Sequence, residues 1–401
     1  MLPPTIPLYF TDAYQAVFSA RVLSCTKDVE KPLYHVVLDK TCFFPEQGGQ
    51  TADTGTLGGN VRVLDAHISR GVIDHLTDGP LAPGCVTEGR IDFARRFSHM
   101  QQHTGEHIFS GLVYALFGFH NVGFHLSDHT VTMDYDGYLP QEQVRALEDQ
   151  ANLVIWRNLP VLVSFPDGEE LKGLFYRSKK EVEGPLRLVT IPGVDVCACC
   201  APHVRRTGEI GLLRVMSAMR YKGGSRLSIL CGGRALSAAR QERETLTELS
   251  RLLSCTAEEA ASQVKRLSEK EKQLSLRLAQ VQAAQLTERA ERVPDERSTV
   301  ILEADDVPEK AVSEAVNVLA EGRQGVCGVL FGPADDRKLM LVSRHIPLKP
   351  LAQALREETG FRGGGDDGCV RGKTSLSAAV LEEWLSLRYG NEGKRQGGSE
   401  E

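Results

Sequence analysis

Short apolar runs separated by glycine, proline and aspartate turns mark the chain from residue 14 to residue 91. Runs of this length bounded by turn residues predict β-strands, and their close spacing favours antiparallel pairing. The clearest predicted strands are 33–38, 61–66 and 72–76. The pattern therefore predicts a small, mostly antiparallel N-terminal β domain over residues 1–95, which also carries a glycine-rich loop.

The next part of the chain mixes helical and strand patterns. Apolar residues recur at helical spacing over 96–118 and again over 140–158. Shorter apolar runs predict further strands at 161–165, 186–191, 211–216 and 227–230. These alternating elements predict an α+β domain over residues 96–233.

Residues 235–292 contain almost no Gly or Pro and are rich in Arg, Glu, Gln, Leu and Ala. Apolar residues fall at alternating a and d heptad positions, although Glu271 and Gln285 interrupt them. The interruptions leave too few consecutive heptads for a long coiled coil. Residues 234–297 are therefore predicted to form a helical hairpin or short coiled coil that turns near 254–258, where Thr256 and Glu259 can cap a helix. This predicted heptad seam consists of Val264, Leu267, Leu274, Leu278 and Val281.

The last segment alternates strand and helix patterns and predicts an α/β C-terminal domain over residues 298–390. The triple glycine 363–365 is predicted to be a loop, and residues 391–401 a disordered tail. The chain as a whole is predicted to be α+β. The strands of this last domain are predicted at 299–302, 325–331 and 339–343, and its helices at 308–319, 348–359 and 376–388.

Composition narrows the class of protein. The chain has 401 residues, of which 41% are hydrophobic and 25% charged, as in an ordinary globular protein with two to three domains. Apolar runs stay well short of the roughly 20 residues needed to cross a bilayer. The first seven residues lack a basic region and are broken by prolines, so no signal peptide is expected. The ten cysteines are expected to be reduced, and the location cytoplasmic without membrane contact.

Charge is unevenly distributed. The net charge of −6 argues against a generally basic nucleic-acid binder. Between residues 200 and 240, however, eight basic residues stand against one acid, Glu209. Such a patch can hold phosphates, or it can be the solvated face of a strand; both interpretations remain open. The basic residues are Arg205, Arg206, Arg214, Arg220, Lys222, Arg226, Arg234 and Arg240.

Four residues have the types and spacing of a metal site. His103 and His107 lie four residues apart, so both project from one face of the predicted helix. Cys199 and His203 repeat that separation further along. One sulfur and three imidazole donors suit a tetrahedral zinc ion better than magnesium or calcium. His99 shares the helix, but the drift of about 40° per four residues makes a three-histidine site awkward, so a structural role is predicted for it.

The surroundings of these residues match known motifs. The segments are Phe44–Gly55 with Gly-Gly-Gln-x-x-Asp-x-Gly, the helix with His-Thr-x-x-His, and Cys-x-x-x-His followed by Arg-Thr-Gly-x-Ile-Gly. In this order they resemble the editing domain of alanyl-tRNA synthetase and its free-standing relatives, the AlaX alanyl-tRNA editing proteins. The resemblance covers residues 8–232. Residues 298–390 resemble the DHHA1-type domain of long AlaX proteins, although Asp366 and Asp367 depart from the usual context of its GGG loop.

The resemblance implies a zinc-dependent aminoacyl-tRNA deacylase with one zinc ion per chain on His103, His107, Cys199 and His203. Cys197 is a secondary candidate for the thiol ligand. The implied substrate is tRNA(Ala) mischarged with Ser or Gly, and no synthetase motif predicts aminoacylation. The zinc ion could orient the terminal nucleotide or activate a bound water, and the sequence does not distinguish these roles. A homodimer through the helical or C-terminal segment is a further possibility.

Substrate contacts are predicted around the glycine-rich loop and the basic patch. Serine is alanine plus a hydroxyl, so a pocket that hydrogen-bonds this hydroxyl can favour serine. Gln50 and Thr51 are the candidates for that hydrogen bond, and the alternative is that Gln50 only braces the turn. The full set of predicted substrate contacts is Gly48, Gly49, Gln50, Thr51, Arg206, Lys222 and Arg226.

Two other functional classes fit parts of the pattern. His103, Glu106 and His107 satisfy the HxxEH motif of inverted zincins, in which the glutamate is the general base of a metallopeptidase. A zinc-stabilised tRNA-binding module without catalysis is the other class. The position of Gln50, Thr51 and the glycine loop relative to the metal would distinguish the module from an enzyme.

Overall fold

The structure is a computed structural model that describes residues 2–167, 170–171, 173–178, 186–305, 307–333 and 335–389. The chain divides into two compact units, Met1–Leu246 and Thr247–Glu401. Helices and several sheets occur in the described residues, so the predicted α+β class is confirmed. The finer domain limits at 95/96, 233/234 and 297/298 stay predictions, and the predicted tail lies outside the described residues.

The first unit begins with a closed barrel of six strands, in the order β2-β3-β7-β6-β5-β8. Its predicted strands are confirmed within one to three residues at their ends, and all its pairings are antiparallel. A short strand β1 (Ile6–Pro7) pairs in parallel with β4 (Lys40–Thr41). The barrel strands are β2 (Val17–Lys27), β3 (Tyr34–Leu38), β5 (Gly55–Leu57), β6 (Val61–Ser69), β7 (Val72–Thr77) and β8 (Val86–Ile91).

Strand β8 shows why part of the barrel was missed from the sequence. Its inward positions are Thr87, Gly89 and Ile91, so only one of the three is a large apolar residue. Gly89 is required there because a Cβ atom would collide with the ring of Phe18. Packing against a neighbouring strand therefore decides the residue types, and the apolar alternation that predicts a strand is lost.

The rest of the first unit packs two helices on a four-stranded antiparallel sheet ordered β14-β15-β10-β9. A smaller three-stranded sheet, β11-β12-β13, lies between the second helix and the β14–β15 hairpin in the sequence. The elements are α1 (Phe93–Phe117), β9 (Asn121–Leu126), β10 (Val131–Tyr135), α2 (Gln141–Trp156), β11 (Leu162–Ser164), β12 (Leu188–Ile191), β13 (Asp195–Ala198), β14 (Leu213–Tyr221) and β15 (Gly224–Cys231).

Helix α1 begins three residues before its predicted start. Asp92 is its N-cap, and its side chain accepts a hydrogen bond from the backbone N–H of Arg95 at 3.1 Å. The helix ends at Gly118, whose φ of 69° is a left-handed conformation that glycine adopts without strain. These caps position the two histidines in the interior of a helix fixed at both ends.

Two long helices follow, α3 (Gly232–Leu253) and α4 (Ala260–Glu291). The break between them falls at the predicted turn, where Ser254 has a φ of 50°. The side chains of the heptad seam are 49–59% exposed. The helices and the break are confirmed, and their assembly as a hairpin or coiled coil stays a prediction. Across the part of the chain that the structure describes, helices long and apolar enough to span a membrane are absent.

The second unit contains a mixed five-stranded sheet in the order β16-β17-β18-β20-β19, flanked by three helices. The predicted strands and helices here are present with shifts of at most two residues, and helix 348–359 matches exactly as α6. The elements are β16 (Val300–Ala304), α5 (Glu309–Ala320), β17 (Cys327–Phe331), β18 (Lys338–Val342), α6 (Leu348–Thr359), β19 (Arg362–Gly365), β20 (Cys369–Lys373) and α7 (Ala378–Tyr389).

The predicted glycine loop in this unit was wrong. Gly363, Gly364 and Gly365 lie in the edge strand β19, which pairs with β20. A Cβ atom on Gly363 or Gly365 would collide with the backbone of β20, which explains glycine at these positions. The turn follows them, and there Asp366 Oδ1 accepts the backbone N–H groups of Gly368 and Cys369 at 2.9 and 2.8 Å. The acidic departure from the family pattern therefore closes a hairpin turn.

Candidate metal centre and substrate loop

The four predicted ligands come together in the first unit. Helix α1 carries His103 and His107, and the segment after β13 carries Cys199 and His203. Their donor atoms all lie within 4.8 Å of one another. Cys199 Sγ is 3.5 Å from His103 Nε2 and 3.3 Å from His203 Nε2. The three histidines are at most 4% exposed.

This donor set fits a zinc ion. Tetrahedral zinc with bonds of about 2.3 Å to sulfur and about 2.0–2.1 Å to nitrogen separates the two donors by roughly 3.5 Å. The two sulfur–nitrogen distances at Cys199 agree with that value. Burial and the neighbouring His107 and His103 hold the pKa of His203 well below its ordinary value, so its ring is neutral, as a metal ligand must be.

Polar groups orient two of the imidazole rings through the nitrogen that faces away from the other donors. His103 Nδ1 lies 2.7 Å from Gln50 Oε1, and His203 Nδ1 lies 3.0 Å from Thr104 Oγ1. Each contact engages Nδ1 and directs Nε2 toward the other donors. Contacts of this kind orient ligand rings and tune their affinity for a metal.

The third ring, that of His107, is supported by a buried ion pair. Its Nδ1 lies 3.0 Å from Asp195 Oδ2, and Arg177 donates to both oxygens of the same carboxylate at 2.7 and 2.8 Å. Burial alone would raise the pKa of Asp195, but the hydrogen bonds from Arg177 and His107 hold it below its ordinary value. The lowered pKa favours the ionised carboxylate of Asp195 beside His107.

The structure separates the three cysteines of this segment. Cys199 belongs to the four-donor group, whereas Cys197 groups with His107 and Asp195. Cys200 faces the glycine loop, where a Cβ on Gly48 would lie 3.8 Å from its sulfur. Burial raises the pKa of Cys200 to about 12, so its thiol stays protonated. This geometry favours Cys199 as the thiol ligand.

His99 lies outside the four-donor group, and its structural role stays a prediction. Its Nε2 lies 3.1 Å from Asp128 Oδ1, and it belongs to none of the groups of candidate metal ligands in the described residues. Burial lowers its pKa to about 4, so the ring is neutral at physiological pH.

The glycine-rich loop is held tightly against strand β9. Gly48 and Gly49 have φ values of 64° and 84°, which favour glycine. A Cβ on Gly49 would also collide with the backbone carbonyl of Phe124. The N–H of Leu126 donates to the carbonyl of Gly49 at 2.7 Å, and the N–H of Thr51 donates back to the carbonyl of Leu126 at 3.0 Å. The backbone of the loop is therefore fixed beside the ligand His103.

Gln50 is the loop residue that reaches the metal ligands. Its side chain is fully buried, and its Oε1 contacts His103. Its Nε2 has no hydrogen-bond partner among the described residues. An unpaired buried amide donor costs about 1–3 kcal/mol, so this atom points to a polar group supplied from outside the chain.

Sequence reasoning missed the ion pair that joins the loop to helix α1. Arg96 and Asp53 are 0% and 1% exposed at their side chains. Arg96 Nε donates to both carboxylate oxygens at 3.1 and 3.0 Å, and Asp53 Oδ2 also accepts the backbone N–H of Phe44 at 2.7 Å. Asp53 belonged to the matched motif, but nothing in the sequence marked Arg96 as its partner.

Three of the other predicted substrate contacts have hydrogen-bond partners within the chain. Thr51 Oγ1 accepts a hydrogen bond from Arg95 Nη2 at 3.3 Å. Arg226 pairs with Asp134 through two hydrogen bonds of 2.6 and 2.7 Å. Arg206 donates to the backbone carbonyl of Asn158, and Lys222 lies in the exposed turn between β14 and β15. Their roles toward a substrate stay predictions.

Glu106, the possible general base of a peptidase, is buried and already hydrogen-bonded. Its Oε1 accepts from Ser110 Oγ at 2.7 Å and from Asn121 Nδ2 at 2.6 Å, and its side chain is 1% exposed. These contacts give Glu106 a structural role in joining α1 to strand β9.

Comparisons with known proteins match the chain to tRNA editing and tRNA charging proteins. Residues 186–228 match the family described as the threonyl and alanyl tRNA synthetase second additional domain. The alanyl-tRNA editing protein Aarsd1 of Mus musculus is 29% identical over 413 residues, which cover 95% of this chain and 98% of that protein. The Rattus norvegicus protein of the same name is also 29% identical, over 412 residues with the same two coverages.

Alanine–tRNA ligases match over a similar part of this chain. The ligase of Pyrobaculum calidifontis is 33% identical over 404 residues, which cover 95% of this chain but only 44% of the ligase. The chain therefore spans nearly the full length of the two Aarsd1 proteins and less than half of that ligase.

Proposed function

The chain belongs to the AlaX-type alanyl-tRNA editing proteins, and from that we propose that it deacylates mischarged tRNA(Ala) by zinc-dependent hydrolysis of the aminoacyl ester. We propose Ser-tRNA(Ala) as its main substrate and Gly-tRNA(Ala) as a further one. The observation that carries this proposal is the group of four donors at His103, His107, Cys199 and His203, with the unpaired Nε2 of Gln50 beside it.

His103, His107, Cys199 and His203 would hold the zinc ion. When bound, zinc supplies a Lewis acid that can polarise an ester carbonyl or lower the pKa of a water molecule. The chain's own contribution is preorganisation, because contacts to Nδ1 of His103 and His203 direct their Nε2 atoms toward Cys199, while Asp195 lies 3.0 Å from Nδ1 of His107.

The glycine loop gives the substrate access to this centre. Gly48 is exposed and has no side chain, so a bound aminoacyl adenosine can approach the backbone of the loop closely. Gln50 then presents its Nε2–H from a fully buried position. This arrangement supports an enzyme over a zinc-stabilised binding module, because the loop is fixed beside a ligand.

Discrimination between serine and alanine follows from the unpaired donor of Gln50. A seryl hydroxyl can accept the hydrogen bond from Nε2, whereas an alanyl methyl group leaves the buried donor unpaired. Sites built around such a hydrogen bond discriminate strongly against a substrate that lacks the partner. Thr51 is the less favoured candidate, because its hydroxyl is held by Arg95 and is not an unpaired buried group like Nε2 of Gln50.

A metallopeptidase is not favoured. Its general base would be Glu106, whose carboxylate is 1% exposed and hydrogen-bonded to Ser110 and Asn121. The two relatives that this chain matches over nearly their full length are named alanyl-tRNA editing proteins.

We also propose that the C-terminal unit supplies a second contact to the same tRNA. Lys338, Lys373 and Arg362 are direct cross-strand neighbours in β18, β20 and β19, so positive charge is concentrated there, and Asp336 pairs with Lys373 at 2.6 Å. With Arg371 they line a cavity of about 410 Å³. Replacing Lys373 and Arg362 with Ala should weaken binding of full-length tRNA(Ala) and spare binding of an acceptor minihelix; equal effects on both RNAs would contradict this second contact.

A homodimer through helix α4 is a further proposal. The heptad seam leaves an exposed apolar stripe, whose members include Leu274 (57% exposed) and Leu278 (59%). A second copy could cover it as a coiled coil. Sedimentation should then give a dimer for the native chain and a monomer for Leu274→Glu; a native monomer at micromolar concentration would reject the dimer.

The function is tested by the hydrolysis rates of four purified substrates: Ser-, Gly- and Ala-tRNA(Ala), and Ser-tRNA(Ser). We expect rapid hydrolysis of Ser-tRNA(Ala), with Ala-tRNA(Ala) slower by about 100-fold, the upper part of the range that about 1–3 kcal/mol for one unpaired buried donor gives. Ser-tRNA(Ser) controls for recognition of the tRNA and should be spared. Comparable rates on the seryl and alanyl esters of tRNA(Ala) would contradict the proposed specificity.

A further inference from the structure

Two aromatic rings form a partly exposed ledge outside the four-donor group. We define the aromatic ledge as Phe10 and Phe165, whose ring centroids are 6.0 Å apart. Phe165 is 52% exposed and directly follows strand β11. Phe10 rests against Tyr9, which is 2% exposed, with centroids 4.9 Å apart. The ledge thus has one face toward solvent, and its other side packs on a buried residue.

A buried arginine connects the ledge to the ligand segment. The guanidinium of Arg187 lies 5.4 Å from the centroid of Phe10, and its Nη1 donates to the backbone carbonyls of Cys199 at 2.6 Å and Ala201 at 2.9 Å. Phe10 and Cys199 also pack against one buried apolar cluster. The ledge is therefore continuous with the segment that supplies Cys199.

The same arginine is incompletely satisfied. Arg187 is 7% exposed, and its Nε has no hydrogen-bond partner among the described residues. A buried cation beneath an aromatic ring, next to a half-exposed second ring, is the combination on which unpaired nucleobases stack. Stacking on Phe165 would cover its exposed face.

We propose that the aromatic ledge is a stacking subsite for the unpaired bases that precede the terminal adenosine of the tRNA 3′ end. The inference rests on the proposed function, which puts the terminal aminoacyl adenosine at the four-donor group. The preceding nucleotide would then lie beside the segment that carries Cys199, which Arg187 connects to the ledge. The ledge offers this nucleotide two aromatic rings in a fixed position. It suits any nucleobase, because every nucleobase has a π face.

The test compares two substrates that share the ester but differ in the nucleotides before it. One is a seryl acceptor-stem minihelix with its unpaired CCA end, and the other is seryl-adenosine, which lacks the two cytidines. Phe165→Ala should raise KM for the minihelix about 10-fold, the scale of one lost base–aromatic stack, with kcat little changed. The same variant should leave KM for seryl-adenosine unchanged, and Phe165→Tyr should retain native KM on both.

Phe175→Ala is the matched control, because Phe175 is another exposed phenylalanine of this unit, stacked on Tyr114. It should alter neither KM. Binding of an uncharged, fluorescent minihelix gives a readout that does not need hydrolysis: Phe165→Ala should weaken it about 10-fold only when the CCA end is present. If Phe165→Ala affects both substrates equally, or neither, or if binding is insensitive to the CCA end, the subsite is rejected. A native chain that binds the CCA end through Phe165 but hydrolyses neither ester would instead contradict the proposed function alone.

Discussion

Gln50→Met should separate two roles that the structure gives to one side chain. Methionine keeps the length of the side chain but removes both amide atoms. The contact from Oε1 to His103 Nδ1, 2.7 Å in the structure, is lost, and so is the donor Nε2. Loss of the first contact should weaken zinc binding about 10- to 100-fold, the usual effect of removing a group that orients a metal ligand.

Loss of the donor should change specificity by an amount that follows from its burial. Gln50 is fully buried, so an unpaired Nε2 costs about 1–3 kcal/mol when alanine is bound and is relieved when serine is bound. At about 1.36 kcal/mol per tenfold change in rate, the ratio of kcat/KM for Ser- over Ala-tRNA(Ala) should fall about 5- to 150-fold in the variant.

Thr104→Val is the control that separates the two effects. Thr104 Oγ1 supports His203 at 3.0 Å, so its loss should also weaken zinc binding about 10- to 100-fold. Thr104 is not part of the glycine loop, so this variant should keep the native preference for serine. The assay measures kcat/KM for both esters at saturating zinc, and competition with a chromophoric chelator measures zinc affinity.

The reasoning would be refuted by a Gln50→Met protein that is fully loaded with zinc and still prefers serine as strongly as the native chain. Gln50 would then only brace the turn and His103. A loss of preference in Thr104→Val at full zinc occupancy would equally show that specificity depends on the ligand rings and not on the unpaired amide.

Three further outcomes follow from the structure. Purified protein should carry about one zinc per chain, and Cys199→Ala should lose most of it whereas Cys200→Ala should not. Metal analysis that finds full zinc occupancy in Cys199→Ala would show that Cys199 is not the thiol ligand. Arg96→Met should lower the free energy of unfolding by about 3–5 kcal/mol in urea, because it leaves Asp53 buried without its charged partner, and a loss below about 1 kcal/mol would contradict that. Burial lowers the pKa of His75 to about 4 from an ordinary value near 6.5, so the contribution of its neutral ring to stability is complete above pH 6.5 and is lost as the pH falls toward 4. At pH 4 this loss should lower the free energy of unfolding by about 3 kcal/mol, and His75→Gln should flatten this pH dependence.

Helices and apolar strands were predictable because their apolar residues repeat at the spacing of a helix or a strand. Helix 348–359 was predicted to the residue, since its apolar positions repeat without interruption. Strand β8 was not predicted, because the barrel interior selects Thr87 and Gly89 by the space available. The triple glycine was assigned to a loop for a related reason. Close approach of β20 requires glycine in β19 just as a turn would, and only the pairing distinguishes the two.

The candidate site also has a part that the sequence predicts and a part that it does not. Spacing and motif resemblance gathered the four candidate ligands, because each pair lies within one short stretch of sequence. The groups that hold them in place join residues far apart in the chain, as with Arg96 and Asp53, 43 residues apart, or Arg177 and Asp195, 18 apart. Such contacts depend on tertiary folding, and no local pattern marks them in one sequence.

The central claim is that this chain hydrolyses a mischarged tRNA ester with the help of zinc held by its four donors. The most direct measurement is the initial rate of Ser-tRNA(Ala) hydrolysis by chelator-treated protein, before and after one equivalent of zinc is restored. The account predicts a rate near background without zinc and recovery of the untreated rate with it, while His103→Ala should stay inactive at the same zinc concentration. Full hydrolysis by a protein that metal analysis shows to be zinc-free would contradict it.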